Sequence, residues 1–424
     1  MFTMIKRLLL FTLLILANTH TLGHVAPPEA AIYNVADTYR LFTSPPPEKA
    51  ETIQQMVARG AMHYYNYICL TSADSPEHSA NNAIDASFNI THVRADPAFV
   101  PGTTYWINDY LHVGHVHYDI GLIAAAQAVP LDRIIMQRAA CHGTLCAGIG
   151  TVDSFYKGYF AAVLIAAGNL DVPVYTRFDH NRKVAPFKFS TDPKTDYYNT
   201  SAMDGVWSKT MLLHRRMYFE RLMRRTNLHY GAVGAVSAEA VQRFKAAAYG
   251  LIPCTPPLTT YFEKEGPFKI LFAYRGNKAS RQIENMDEFV GRLRAKFPSP
   301  TYQLRLFNTS DPYLTFATQL QAVAESHVVI ANHGAFEGNM IYMRNSSLLV
   351  ELFGHYGNNE IHTFQRLAVM FGLYYARLHS ESLTDHQAPF FNMSRTDIAN
   401  VESTIQEYFD RKPYLLNLKP VRED

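Results

Sequence analysis

His333 stands where an apolar run over residues 327–331 gives way to the turn Asn332-His333-Gly334-Ala335. A helix is expected over 336–343, and a second apolar run over 347–353 carries Glu351 near its end. The spacing reads as strand, turn, helix, strand. An imidazole beside backbone N–H groups at a helix start suits an anionic ligand such as a diphosphate, because the helix dipole favours negative charge there. Gly334 lets the backbone approach such a ligand closely. Glu351, at the next strand end, is placed to accept a hydrogen bond from a sugar hydroxyl. A second constellation begins with Arg275, at the end of an apolar run over 268–274, and continues with Arg281, just before a helical pattern. Two guanidiniums at a strand end suit bidentate phosphate binding. A third is His112, His115, His117 and Asp119. Its His-x-His-x-Asp start matches the opening of metallo-hydrolase sites, whose imidazoles and carboxylate suit zinc. The next position of that pattern is Ile120 rather than His, and no distal ligand cluster matches it. Each constellation also has a structural explanation: a solvated loop for the arginines, a local hydrogen bond for His333, a packing segment for the histidines.

The elements that must position these residues are most regular after position 268. Strands are expected over 268–274, 302–307, 327–331, 348–353 and 373–378. Helices alternate with them over 285–297, 313–325, 336–343 and 360–371, and a last helix covers 395–408. Phe289, Val290, Leu293 and Phe297 share one face of the first helix, and Leu314, Ala317, Leu320 and Val323 one face of the second. Ile398, Val401 and Ile405 do the same in the last. Alternating strands and helices predict a parallel sheet covered on both faces. Ligands of such sheets bind beyond the carboxyl ends of the strands, where Arg275 and His333 fall. Earlier in the chain, helices are expected over 118–129, 155–168 and 212–228, and a strand over 133–137. The 212–228 helix would be basic, with Arg215, Arg216, Arg221, Arg224 and Arg225. The polar stretch 181–204 reads as a long loop of the functional kind.

The chain's 424 residues favour two domains, and its 48% hydrophobic content is ample for their cores. Charged residues make up 18%, below the roughly 25% of average domains, which excludes wholesale disorder. A net charge of +2 gives no support for nucleic-acid binding. Lys6-Arg7 precede an apolar run over 8–17, half the roughly 20 residues of a spanning helix. Residues 1–23 therefore read as a signal peptide cleaved near Gly23, or as a short uncleaved anchor. Residues 24–50, with Pro45-Pro46-Pro47, read as a stem, and Pro-rich segments at 253–257 and 263–267 mark a boundary between domains over 51–250 and 251–424. Sequons at Asn89, Asn199, Asn308, Asn345 and Asn392 fit a secretory compartment. So do Cys69, Cys141, Cys146 and Cys254 as two disulfides, with Cys141–Cys146 the first pair to test.

Arg275, Ser280, Arg281 and Asn285, followed by His333, Gly334, Ala335, Asn339 and Glu351, resemble motifs of the family 61 glycosyltransferases. That family includes secretory-pathway xylosyltransferases and O-linked N-acetylglucosaminyltransferases. Its C-terminal half pairs an Arg-x-x-x-x-Ser-Arg-like segment with a His-Gly-Ala-Gly-Leu-Thr-Asn-like turn and a Glu-bearing strand. His115 and Asp119 are similar to its N-terminal His-Trp-x-x-Asp-like segment. The resemblance is good over 268–380 and thin elsewhere. Phe336-Glu337-Gly338 departs from the usual Gly-Leu-Thr and brings a carboxylate near the expected diphosphate. The resemblance implies an α/β fold of the GT-B-like type: two Rossmann-like domains, an acceptor-side half over 51–250 and a nucleotide-sugar-binding half over 251–424. It implies an inverting enzyme that moves a sugar from a nucleotide donor, UDP-linked, to a glycan or protein hydroxyl in the Golgi or endoplasmic reticulum. Membrane association would come through the N-terminus, and no nucleic acid is involved. The donor is a co-substrate, and no other cofactor or metal is expected; no Asp-x-Asp occurs to hold a metal–diphosphate pair. Arg275, Ser280, Arg281, His333, Gly334, Ala335 and Asn339 would hold the nucleotide diphosphate, and Glu351 would orient ribose or sugar. His115 or Asp119 would be the base, with His117 next. Two other readings stand beside this one: a zinc-dependent hydrolase centred on His115, His117 and Asp119, and a non-catalytic glycan-binding relative, motivated by Glu337.

Overall fold

The computed structural model describes residue 49 and residues 51–58, 62–71, 99–110, 120–138, 149–172, 174–176, 188–189, 198–199, 216–225, 236–252, 258–260, 262, 266–276, 281–311, 313–354, 363–380 and 390–415. In chain order the first elements are α1 (Ile53–Ala58), β1 (Met62–Thr71), β2 (Phe99–Tyr110), α2 (Gly121–Ala128), β3 (Arg133–Arg138), α3 (Ile149–Ala166) and β4 (Val174–Thr176). The short β5 (Lys188–Phe189) and β6 (Tyr198–Asn199) pair with each other inside the 181–204 stretch. Then come β7 (Arg216–Arg225) and α4 (Ala238–Gly250). The second half runs β8 (Phe268–Tyr274), β9 (Gln282–Ile283), α5 (Met286–Lys296), β10 (Tyr302–Asn308), α6 (Phe316–Ala324) and β11 (Val328–Asn332). A 3-10 helix (Ala335–Tyr342), β12 (Leu348–Gly354), α7 (Thr363–Met370), β13 (Tyr374–Ser380), β14 (Phe390–Phe391) and α8 (Arg395–Leu415) complete it.

The first sheet has the order β1-β7-β2-β3-β4; β1 is antiparallel to β7 and the other neighbours are parallel. The second has the order β10-β8-β11-β12-β13 and is parallel throughout. The molecule is thus α/β, as the alternation of apolar runs and amphipathic stretches predicts. Every residue of β11 is buried, the mark of a central parallel strand covered on both faces. α5 lays Phe289, Val290 and Leu293 on the second sheet, with the Phe289 ring edge-on to Phe272 at 5.0 Å. α8 buries Ile398, Val401 and Ile405 completely, and its Phe409 ring lies 4.7 Å from Phe268.

α4 joins the two halves. Ser237 caps it by accepting the Ala240 N–H at 3.1 Å. Its Phe244 is fully buried and touches Tyr159 of α3, Tyr342 of the 3-10 helix and Phe371 after α7, at 5.7, 5.6 and 6.3 Å between ring centres. The next residue, Lys245, is also fully buried and donates to Asn345 Oδ1 and to the Phe371 carbonyl, both at 2.7 Å. Burial pushes its amine well below the ordinary lysine value. The Asn345 sequon is therefore buried and its side chain engaged, so it adds nothing to the secretory argument.

Two expectations need correction. The basic helix over 212–228 is strand β7. Phe219, Leu222 and Met223 have helical spacing and are all buried, but β7 lies between β1 and β2, which bond its backbone on both sides. An interior strand covered on both faces can bury adjacent residues, so the spacing does not discriminate. The helix over 336–343 is a tighter 3-10 helix over Ala335–Tyr342. His112, His115, His117, Asp119, Ser280, Cys141, Cys146, Cys254 and residues 1–48 lie outside the described residues, as does the side chain of Cys69. Among the described residues, no helix is long and apolar enough to cross a membrane.

Candidate functional site

β8 and β11 are adjacent parallel strands, and their ends deliver Arg275 and His333 to the same edge of the sheet. Arg281 reaches that edge with φ +67, a left-handed conformation costly for a side-chain-bearing residue. Asn332 pins it there, donating from Nδ2 to the Arg281 carbonyl at 2.6 Å. Both guanidiniums converge on one acceptor: Arg281 Nη1 donates to the His333 carbonyl, and Arg275 Nη2 donates to it at 3.4 Å. The shared carbonyl is a single partial charge facing two full positive ones. Burial, and then the neighbouring Arg281, push Arg275 down to about 10, against an opposing pull from Glu337. A bound anion would relieve that repulsion. Gly334 is favoured here by its φ of +155, and a Cβ on it would also displace Arg275 Nη2, the end of a flexible side chain.

Behind the arginines lies a network set by strand register. Glu351 of β12 is paired with Ala331 on one side and Arg377 on the other, and Tyr375 lies two residues before Arg377 on the same face. Glu351 is fully buried. Its Oε1 bonds His333 Nδ1; its Oε2 accepts the Tyr375 hydroxyl and lies 3.6 Å from Arg377 Nε. Burial pushes the Glu351 carboxyl upward, but His333, Arg377 and Tyr375 outweigh it and hold it below the ordinary value. An ionised carboxylate only accepts, so His333 Nδ1 carries the proton. Phe364 packs edge-on against the imidazole at 5.6 Å.

Glu337 is the opposite case. It is buried in the 3-10 helix, where Oε2 accepts the Gly334 N–H at 2.9 Å and lies 3.6 Å from His333 Nδ1. Burial and then Glu351 push its carboxyl well above the ordinary value. One imidazole is thus flanked by two acids whose carboxyls their environments shift in opposite directions. The backbone N–H expected to lie open at this helix start is instead closed by Glu337 at Gly334.

His333, Glu337 and Glu351 bring their ligand atoms within 4.8 Å of one another, a set that by number could hold a cation. Both Glu351 oxygens already have partners, Glu337 favours its neutral form, and Arg377 faces the same carboxylate. This chemistry fits a proton-sharing network better than a divalent ion.

Of the residues singled out from sequence, the fold brings together Arg275, Arg281, His333, Gly334 and Glu351 at one edge. Ala335 begins the 3-10 helix beside them and is half-buried. Glu351 is not at the mouth of the site but behind His333. Asn339 is turned inward, donating to Gln319 Oε1 and the Phe336 carbonyl, both at 3.0 Å, and is not brought to the arginine pair. Sequence reasoning missed Tyr375 and Arg377; their alternate spacing on an apolar strand was visible, but the register with Glu351 was not.

A parallel α/β sheet thus carries paired guanidiniums and a carboxylate-held imidazole beyond its strand ends, an arrangement whose chemistry suits an anionic group. Comparison with known families gives the narrower assignment: the family model described as Glycosyltransferase 61 matches residues 93–350, more than half of the chain. The chain belongs to glycosyltransferase family 61 and is a glycosyltransferase, with a sugar donor and an acceptor as substrates. The match includes the arginines, His333 and Glu337, and it ends one residue before Glu351. No curated protein matches the chain.

Proposed function

We propose that this glycosyltransferase moves a sugar with inversion from a UDP-linked donor to a hydroxyl of a glycan or glycoprotein, without a metal, in the lumen of the Golgi or endoplasmic reticulum. The observation that carries the reading is the convergence of Arg275 and Arg281 on one carbonyl, each positive charge raising the cost of the other. A leaving nucleoside diphosphate brings negative charge to the pair, which stabilises it most as the glycosidic bond breaks. The phosphate lies against Arg275 and Arg281 beside the Gly334 turn, whose His333 is oriented by Glu351. The acceptor oxygen attacks the anomeric carbon from the face opposite the diphosphate. The bond from that carbon to the phosphate oxygen breaks, and the acceptor proton passes to a base. His115 or Asp119, from the acceptor-side half over 51–250, is that base in this reading. The two five-stranded sheets, the first mixed and the second parallel, serve as the two Rossmann-like halves of a GT-B-like arrangement, with the donor on the second. Metal independence rests on the guanidiniums, which do the work a cation does elsewhere. Residues 1–23 direct the chain to the secretory pathway as a signal or anchor, and residues 24–50 form its stem.

Calorimetric titration with UDP, with and without EDTA, tests this. Binding is expected to survive the chelator and to be lost in Arg275→Ala and in His333→Ala. Binding abolished by EDTA would instead favour a cation held by His333, Glu337 and Glu351 and would overturn the metal-independent reading.

A further inference from the structure

The loop after β10 carries an aromatic side chain that the donor-site residues above do not explain. Tyr313 is 87% exposed, the most exposed large apolar side chain among the described residues; Phe390 follows at 52%. A single exposed aromatic is ordinary on a protein surface, so its place in the fold has to carry the argument. The loop itself is held firmly. Thr309 donates its N–H and its hydroxyl to the Tyr274 carbonyl, at 2.8 and 3.1 Å. Asn308 Oδ1 accepts the N–H of Gly276 at 3.1 Å and of Ser310 at 3.0 Å. Asp311 Oδ1 accepts the N–H of Tyr313 itself at 2.9 Å. Leu314 is then buried, and Thr315 caps α6 by accepting the Thr318 N–H at 3.1 Å. Most of the ordering entropy of this backbone is already spent, so a ligand meeting Tyr313 does not have to organise it.

Position decides the ligand. Asn308 is in register with Tyr274, so the loop leaves the sheet beside Arg275, at the same carboxyl edge. The strand order β10-β8-β11 puts Tyr313's loop on one side of Arg275 and His333 on the other. From the end of β11 to the end of β10 is two strand spacings, about 10 Å. That is the reach of a nucleoside diphosphate from its outer phosphate to its base. Gly276, between the two, lies close against Asn308, whose side chain occupies the space a Cβ there would need and ties the start of Tyr313's loop to the end of β8.

The geometry points to Tyr313 as the stacking platform for the nucleobase of the donor, with the diphosphate on Arg275 and Arg281. The inference rests on the donor-site reading above and names the residue that recognises the base. Stacking uses the ring and not the hydroxyl, so it tolerates any base and survives loss of the oxygen.

The test is calorimetric titration of the full chain with UDP, with GDP and with inorganic pyrophosphate, for wild type, Tyr313→Ala and Tyr313→Phe. Tyr313→Ala is expected to bind UDP about ten-fold more weakly. Pyrophosphate affinity should be unchanged in that variant, and Tyr313→Phe should match wild type throughout. UDP and GDP binding unaltered in Tyr313→Ala overturns the stacking role while the anion site stands. Equal weakening of pyrophosphate and nucleotides also overturns it, because the substitution would then be acting through the loop. Wild type binding neither pyrophosphate nor nucleotide overturns the donor-site reading together with this one.

Discussion

At the scale of single residues, the site turns on one imidazole between two acids whose carboxyls are shifted in opposite directions. Glu351 is held below the ordinary value because His333, Arg377 and Tyr375 surround it; Glu337 is pushed well above it because burial and Glu351 both oppose its charge. The folded chain therefore keeps a proton on Glu337 that the unfolded chain releases once pH passes the ordinary value of 4.5. Folded pKa above unfolded means that this carboxyl lowers stability progressively as pH rises from 4.5 through the folded value. Glu337→Gln keeps an acceptor for the Gly334 N–H but cannot ionise. Its thermal midpoint is expected to match wild type at about pH 4 and to exceed it at about pH 8. Midpoints that run parallel across that range would sink the upward shift of Glu337.

At the scale of elements, the strand ends and the turn after β11 do the positioning. Gly334→Ala tests the turn directly. The new Cβ would push the Arg275 guanidinium away, and that group can move because it ends a flexible side chain. The fold should survive at a cost of about 1 kcal/mol for the backbone conformation. UDP affinity should fall about ten-fold as the arginine pair separates. Retained affinity with an intact fold would show that the two guanidiniums need not converge. The elements of the second half were legible because each is a local signal: β8 is an unbroken apolar run, and α5 repeats its apolar residues at helical spacing. β7 was not legible, because Phe219, Leu222 and Met223 satisfy a helix and a doubly covered strand alike. Its partners β1 and β2 decide, and they lie far away in the chain.

At the scale of the whole molecule, α4 is the seam. Phe244 meets α3 of the first half and Tyr342 and Phe371 of the second, and Lys245 bonds Asn345 and Phe371 beside it. Phe244→Ala is expected to cost about 3–5 kcal/mol, as a cavity between packed aromatics does. Urea denaturation followed by fluorescence and by circular dichroism should show one transition moved to lower urea by both probes. A midpoint unchanged from wild type would mean that the halves do not depend on this contact. Lys245 and Asn345 carried no signal of their pairing in the sequence, where one reads as an ordinary helix lysine and the other as a sequon.

The sequence by itself determined the alternation of the second half, the parallel sheet that follows from it, and the edge at which Arg275 and His333 emerge. Apolar periodicity and turn residues are local, and they survive reading one residue after another. Only the tertiary structure decided which groups meet: Glu351 with Tyr375 and Arg377 by register, and Arg281 with the His333 carbonyl across a turn. It alone also decided which way each acid is shifted. Desolvation and pairing are imposed by neighbours distant in the chain, so two glutamates with the same side chain are shifted in opposite directions around one histidine.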